Sequence, residues 1–220
     1  LVTIFSVVGL SMLIAAPIGA AASQVGTLIM WATEQAPLVM GILVSVIVGV
    51  ALTLPISSAA ICAALGLTGL AGGAAVAGCC AQMVGFAVMS YKENGVGGLV
   101  SQGLGTSMLQ MGNIIKNPRI WIAPTLASAI TGPLATCLFH FEMNGAAVSS
   151  GMGTCGLVGQ IGVYTGWVSD IAAGTKAAIT PMDWAAMVLL CFVLPAVLSV
   201  VFCEVERKLG WIKDGDLKLN

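Results

Sequence analysis

Residues 139–162 read FHFEMNGAAVSSGMGTCGLVGQIG. They hold the only histidine of the chain, His140, and a lone carboxylate, Glu142, followed by a run rich in Gly, Ser and Thr. The surroundings are almost entirely apolar. Flexible backbone and an isolated ionisable group are costly in lipid and are tolerated where they line a cavity or are buried in protein. Residues 144–166 are too polar for a lipid-facing helix, so they predict a re-entrant hairpin or a broken helix. This stretch is the first place to seek the function.

Outward from it, the composition sets the class. The chain is 58% hydrophobic and 8% charged, with a mean hydropathy of +1.03. A soluble domain carries about 25% charged residues. No acid or base precedes Glu34, and no base precedes Lys92. These features predict an integral membrane protein. Nine acids and eight bases nearly cancel to a net charge of −1, which leaves no basic field for nucleic acid. Residues 1–22 carry no initiator Met and no basic n-region, so they are not a signal peptide. A missing N-terminal part is expected. Seven scattered cysteines without a C-x-x-C pair read as small packing residues.

A transmembrane helix needs about 20 mainly apolar residues. Residues 1–22, 37–53, 74–91, 120–141 and 184–202 meet that need, the fourth with kinks at Pro124, Gly132 and Pro133. Residues 23–36 carry Trp31 and Glu34 and read as an interfacial connection. Pro55 to Ser58 is a break, followed by a short small-residue segment at 59–71. Residues 168–181, with Asp170 and Lys176, read as a loop. The expected fold is an all-α polytopic membrane protein with about five spans plus re-entrant or broken segments. One transmembrane domain covers residues 1–203, and a charged tail covers 204–220. Arg207, Lys208, Lys213 and Lys218 place that tail in the cytoplasm. Lys116 and Arg119 fall on the same side.

Residues 96–117 have their own pattern. Gln102, Thr106, Gln110, Asn113 and Asn117 recur at spacings of four, four, three and four. On a helix they share one face, with Val100, Leu104, Met108, Met111 and Ile115 on another. An uncharged polar stripe suits a wall facing a polar cavity; a helix lying flat at the interface is the alternative. An internal echo links this segment to the opening stretch. Ser101-Gln-Gly-Leu-Gly-Thr-Ser107 matches Ser149-Ser-Gly-Met-Gly-Thr-Cys155 at Ser, Gly, Gly and Thr. A fainter pair starts at Pro55 (PISSAAICAAL) and Pro124 (PTLASAITGPL). Matched interrupted segments are a feature of transporters built from repeats, against which stands chance in a chain with 28 glycines.

Glu142 can accept hydrogen bonds from the hydroxyls of a polar solute or carry a proton; alternatively it sits in water at the end of its span. On a regular helix His140 would point about 160° away from Glu142, so the two share a ligand only if the backbone breaks between them. A histidine satisfied in the protein core is the other reading. Gly151 to Gly156 allows close approach of backbone to a ligand, or tight helix packing. It is no phosphate loop, because no lysine follows it. No triad, metal spacing or cofactor motif is present, so no catalytic residue, metal or cofactor is expected.

Three stretches carry a family resemblance: LGTSMLQM (104–111), NIIKNPRIWIAPTLASAITGP (113–133) and GMGTCGLVGQIG (151–162). Together they resemble EIIC-like membrane proteins of the phosphoenolpyruvate-dependent sugar phosphotransferase system. The resemblance implies a bacterial inner-membrane homodimer with re-entrant hairpins around a solute site. It also implies a histidine and a glutamate on the sugar, with Glu142 in the place of that glutamate and His140 the histidine available. Family members are longer than this chain. The expected binding set is Glu142, His140, Asn144, Gly151, Gly153, Thr154 and Gln160, with Gln102, Thr106, Gln110 and Asn113 from the echoing segment. The expected partners are a small polar solute, in the first place a sugar, and the lipid bilayer; the tail is too short to fold into an EIIB domain, so EIIB is either a separate protein or absent. Phosphorylation would belong to that partner, so the chain itself is expected to transport and not to catalyse. Rival functions are an uncoupled carrier or channel for a non-sugar solute or ion, and a membrane sensor that keeps the fold.

Overall fold

A computed structural model describes the backbone of residues 2–219 and the side chains of residues 19–219. Helix α1 (Val2–Gln35) and α2 (Pro37–Thr53) are separated by Ala36 alone, which leaves the helical region while Pro37 restarts the helix at its first turn. Residues 23–36 are therefore, up to Gln35, the continuation of α1, with Trp31 and Glu34 exposed on it. Thr27 and Thr33 donate to carbonyls four residues back in the same helix, and of the two only Thr33 is buried. The expected first span, residues 1–22, lies mostly outside the described side chains. Leu54 ends α2 in an extended conformation. The half-height helix α3 (Ser58–Leu65) follows, capped by the Ser57 hydroxyl.

Helix α4 (Gly69–Met89) is the axis of the molecule, and 94% of its apolar stretch is buried inside the protein. Its sequence, GLAGGAAVAGCCAQMVGFAVM, explains how so many neighbours fit around it. A Cβ at Gly73 would overlap the carbonyl oxygen of Phe141, and one at Gly78 that of Ser45. Small residues permit such backbone-to-backbone approach in membranes. Against α4 pack α2, α7 (Ile122–Pro133) and, at the far end of the chain, α10 (Leu194–Lys208).

Short irregular turns extend two of these into long rods. Helix α7 continues through a 3-10 turn and a π turn over Pro118–Leu138, and α9 (Pro181–Val188) joins α10 over Pro181–Lys208. The π turn Leu189–Val193 has a physical cause. Pro195 in α10 would clash with the carbonyl of Cys191, and the wider register there makes room. Among the described residues, Gly69–Met89, Pro118–Leu138 and Pro181–Lys208 are long and apolar enough to cross a membrane, and Pro37–Thr53 is apolar but shorter. The all-α polytopic class is what the structure has.

Between the rods lie two hairpins that enter from opposite ends. The first comprises α5 (Tyr91–Val100), a π turn Ser101–Gly105, a 3-10 turn Ser107–Gln110 and α6 (Met111–Lys116). Its base lies beside the end of α10, where Lys92 pairs with Glu204 and Glu93 with Arg207. The second runs from an extended stretch at 139–144 through 3-10 turns Ala147–Gly151 and Cys155–Leu157 into α8 (Val158–Ala172). Its base lies beside the start of α4, where Gly69 and Met143 exchange backbone hydrogen bonds of 3.0 Å. The tips meet against the middle of α4: the Thr154 hydroxyl donates to the Gly103 carbonyl, and Gly153 packs on Cys79 and Cys80.

The stronger echo thus falls on the two hairpin tips. The fainter pair has no such correspondence, since residues 55–65 are a break and half-helix while 124–134 lie inside α7. Residues 96–117 are not one helix either. Gly95 takes φ +59°, and Thr106 is extended at φ −160° and ψ 141°. Helix α10 runs on to Lys208, and residues 209–219 then fold back through turns at Gly210 and Gly215. Ile212 and Leu217 bury into a cluster with Phe86, Met89, Ile114 and Ile120, so the charged tail is part of the packed body.

Candidate functional site

At the end of the molecule away from that tail, the rod Pro118–Leu138 gives way to extended backbone. His140 makes the turn, with φ +43°, a conformation that non-glycine residues rarely adopt. Side chains then alternate with period two. Phe141 and Met143 point into the core, 3% and 0% exposed. His140, Glu142 and Asn144 point the other way. The 160° separation expected on a helix disappears, because the backbone breaks between the two ionisable groups.

All three face a cavity of about 460 Å³, completed by Trp167, Asp170, Thr175 and Lys176. Asn144 organises its polar side: Nδ2 donates to Glu142 Oε2 at 3.0 Å and to Asp170 Oδ2 at 2.9 Å. One amide thereby holds two carboxylates close together at the wall of the cavity. Lys176 Nζ binds Asp183 Oδ1 at 2.8 Å and lies 5.5 Å from the Trp167 ring centroid. Its charge is committed to Asp183, so the cavity stays rich in acceptors.

Trp167 is fixed from behind, with Trp184 packed edge-on at 5.6 Å between centroids. Tyr164 lies 5.9 Å from Trp184. The start of α9 is itself fixed, since Thr180 and Asp183 form a reciprocal capping box. Such a site can present carboxylate and amide acceptors to hydroxyl groups, while Trp167, 5% exposed and covered by Lys176 and Trp184, forms a buried part of its wall. Among the described residues, no three His, Cys, Asp or Glu side chains converge to hold a metal.

The other residues singled out in the sequence lie elsewhere. Gly151, Gly153 and Thr154 are buried at the second hairpin's tip and make contacts within the protein. Gln160, also buried, donates to Cys80 Sγ at 3.2 Å, and its carbonyl oxygen has no partner among the described residues. Thr106 caps the turn that follows it. Gln102, Gln110 and Asn113 form a buried chain of amides: Asn113 Nδ2 to Gln110 Oε1 at 2.8 Å, Gln110 Nε2 to Gln102 Oε1 at 2.9 Å, and Gln102 Nε2 to Ser90 Oγ at 2.7 Å. These side chains hold the first hairpin together and are remote from the cavity. The sequence reading missed Trp167, Asp170, Thr175 and Lys176 as site residues. A signal was present, because an acid and a base in a largely apolar chain are themselves functional hypotheses. Assigning them to a loop hid it.

No curated protein sequence and no solved structure matches the chain. A family model described as "Phosphotransferase system, EIIC" matches residues 1–219. The quoted motifs, the membrane-spanning rods and that match agree: the chain belongs to the phosphotransferase system EIIC family and is a membrane transporter subunit of that type.

Proposed function

We propose that the protein binds a sugar in the cavity of His140, Glu142 and Asn144 and carries it inward between the two hairpins. The supporting observation is the extended stretch 139–144, which aims those three side chains at Asp170 and Trp167. Sugars offer many hydroxyl donors around a ring with apolar faces. A hydrogen bond to a charged group contributes about 1.5–3 kcal/mol, and Glu142 and Asp170 supply two such acceptors. Gly151, Gly153, Thr154 and Gln160 then belong to the moving hairpin, not to the first contact with solute.

Charge supports a direction. Lys92, Lys116, Arg119, Arg207, Lys208, Lys213 and Lys218 lie at the tail end, and of the chain's eight bases only Lys176 lies at the cavity end. The positive-inside rule then puts the tail in the cytoplasm and the cavity outside. Kinship with the family adds the bacterial cytoplasmic membrane, a homodimer, and a separate EIIB partner that phosphorylates the arriving sugar. The test is equilibrium binding of a panel of radiolabelled sugars to the protein in lipid nanodiscs. Saturable binding that weakens in Glu142→Gln supports the proposal. Binding of no sugar, with a proton-coupled ion flux lost in the same variant, would replace it with an uncoupled carrier.

A further inference from the structure

Residues 209–219 do more than pack. They receive hydrogen bonds from both limbs of the first hairpin. Asn94, on the entering limb, donates from Nδ2 to the Leu217 carbonyl at 2.8 Å and accepts from the Leu219 N–H at 2.8 Å. From the returning limb, Gln110 reaches the same Leu217 carbonyl at 3.0 Å, and Asn113 reaches the Lys218 carbonyl at 3.0 Å. Asn117, just beyond it, holds the Trp211 carbonyl and Asp216. Arg207 fastens the segment at its root, bridging Glu93 and Asp214. Leu217, fully buried, is the apolar pin.

The hairpin needs such a fastening. Gly95, the π turn and extended Thr106 deprive it of continuous helix, and Gln102 and Gln110 are fully buried amides whose network ends on the strap. Without the strap, buried donors on Gln110 and Asn113 lose partners, which a protein interior does not tolerate cheaply. Beyond the strap, the hairpin is tied at its tip, where Gly103 accepts from Thr154 and Ser107 meets Thr53 at 2.8 Å. Those tip contacts stand between the two halves of the molecule.

We infer that residues 209–219 form a strap that clasps the two limbs of the first hairpin shut, and that its release lets the hairpin tip part from the second hairpin and open the tail side. The strap rests on contacts within the fold, whereas its consequence for transport rests on the function proposed above.

Hydrogen exchange on the full chain in nanodiscs tests it and needs no solute, so its failure is separable from a failure of the sugar site. The variants are Leu217→Ala, which pulls the pin, and Asn94→Ala, which leaves the core untouched and decides the matter if the first does not fold. Amides of residues 101–107 should exchange roughly tenfold faster or more in the variants, while those of α4 keep the wild-type rate. Faster exchange confined to residues 209–219 would overturn the inference. So would an α4 that accelerates in step with the hairpin, since the whole molecule would then have loosened.

Discussion

Asn144 is the residue on which the candidate site turns, because its single amide nitrogen serves both Glu142 and Asp170. Replacing it with alanine leaves two carboxylates close together with no shared donor. Asn144→Ala is expected to weaken sugar binding by roughly tenfold, the equivalent of about 1.4 kcal/mol, with little change in thermal midpoint because the position is half-exposed. Equilibrium binding and a thermal scan on the same preparation check both parts. Gly78 makes the opposite case. A Cβ there meets the Ser45 backbone, which cannot rotate away, so Gly78→Ala should destabilise by about 1–3 kcal/mol, read as a lower thermal midpoint. At this scale the sequence made the outliers visible. Glu142 and His140 stood out as ionisable groups in an apolar chain. Their relation did not, since the left-handed turn at His140 follows from tertiary packing and leaves no mark in the side-chain pattern.

The segment 96–117 shows what periodicity can and cannot say. Of the polar stripe, Gln102, Gln110 and Asn113 are buried together, while Thr106 and Asn117 are half-buried apart from that chain. Spacings of four, four, three and four fit a helix. The same residues meet equally well across a folded hairpin, where Gln102 and Gln110 face each other from opposite limbs. Pattern alone could not choose between these, because both bury the same side chains. It also could not say what the stripe faces: the strap supplies carbonyls from more than a hundred residues away, at Leu217 and Lys218. Gln110→Leu removes donors to Gln102 and Leu217 and an acceptor for Asn113 while keeping the volume. It should cost about 2 kcal/mol or more in stability, seen as a fall in thermal midpoint, and leave sugar affinity unchanged. The spans were easier to read, for hydropathy and length suffice to find a rod. Boundaries shifted where Pro, a π turn or a polar helix end made the backbone do something that side chains do not announce.

Across the whole molecule, the two hairpins approach each other from opposite ends. One carries the cavity with Glu142 and Asp170, the other the strap, and their tips touch beside α4. The orientation proposed above, drawn from the asymmetry of Lys and Arg, makes a direct prediction. A membrane-impermeant amine reagent applied to oriented cells should therefore label Lys176 from outside and Lys213 only after lysis; the reverse pattern would invert the topology. Everything depends on the cavity being the place where solute first binds. Equilibrium binding of labelled sugars to the nanodisc-embedded protein, comparing wild type, Glu142→Gln and Gln110→Leu, addresses that most directly. Affinity should fall by roughly tenfold or more in Glu142→Gln, the loss of a charge-assisted hydrogen bond, and hold in Gln110→Leu. Undiminished binding in Glu142→Gln, or loss in Gln110→Leu alone, would contradict the account and move the site to the first hairpin.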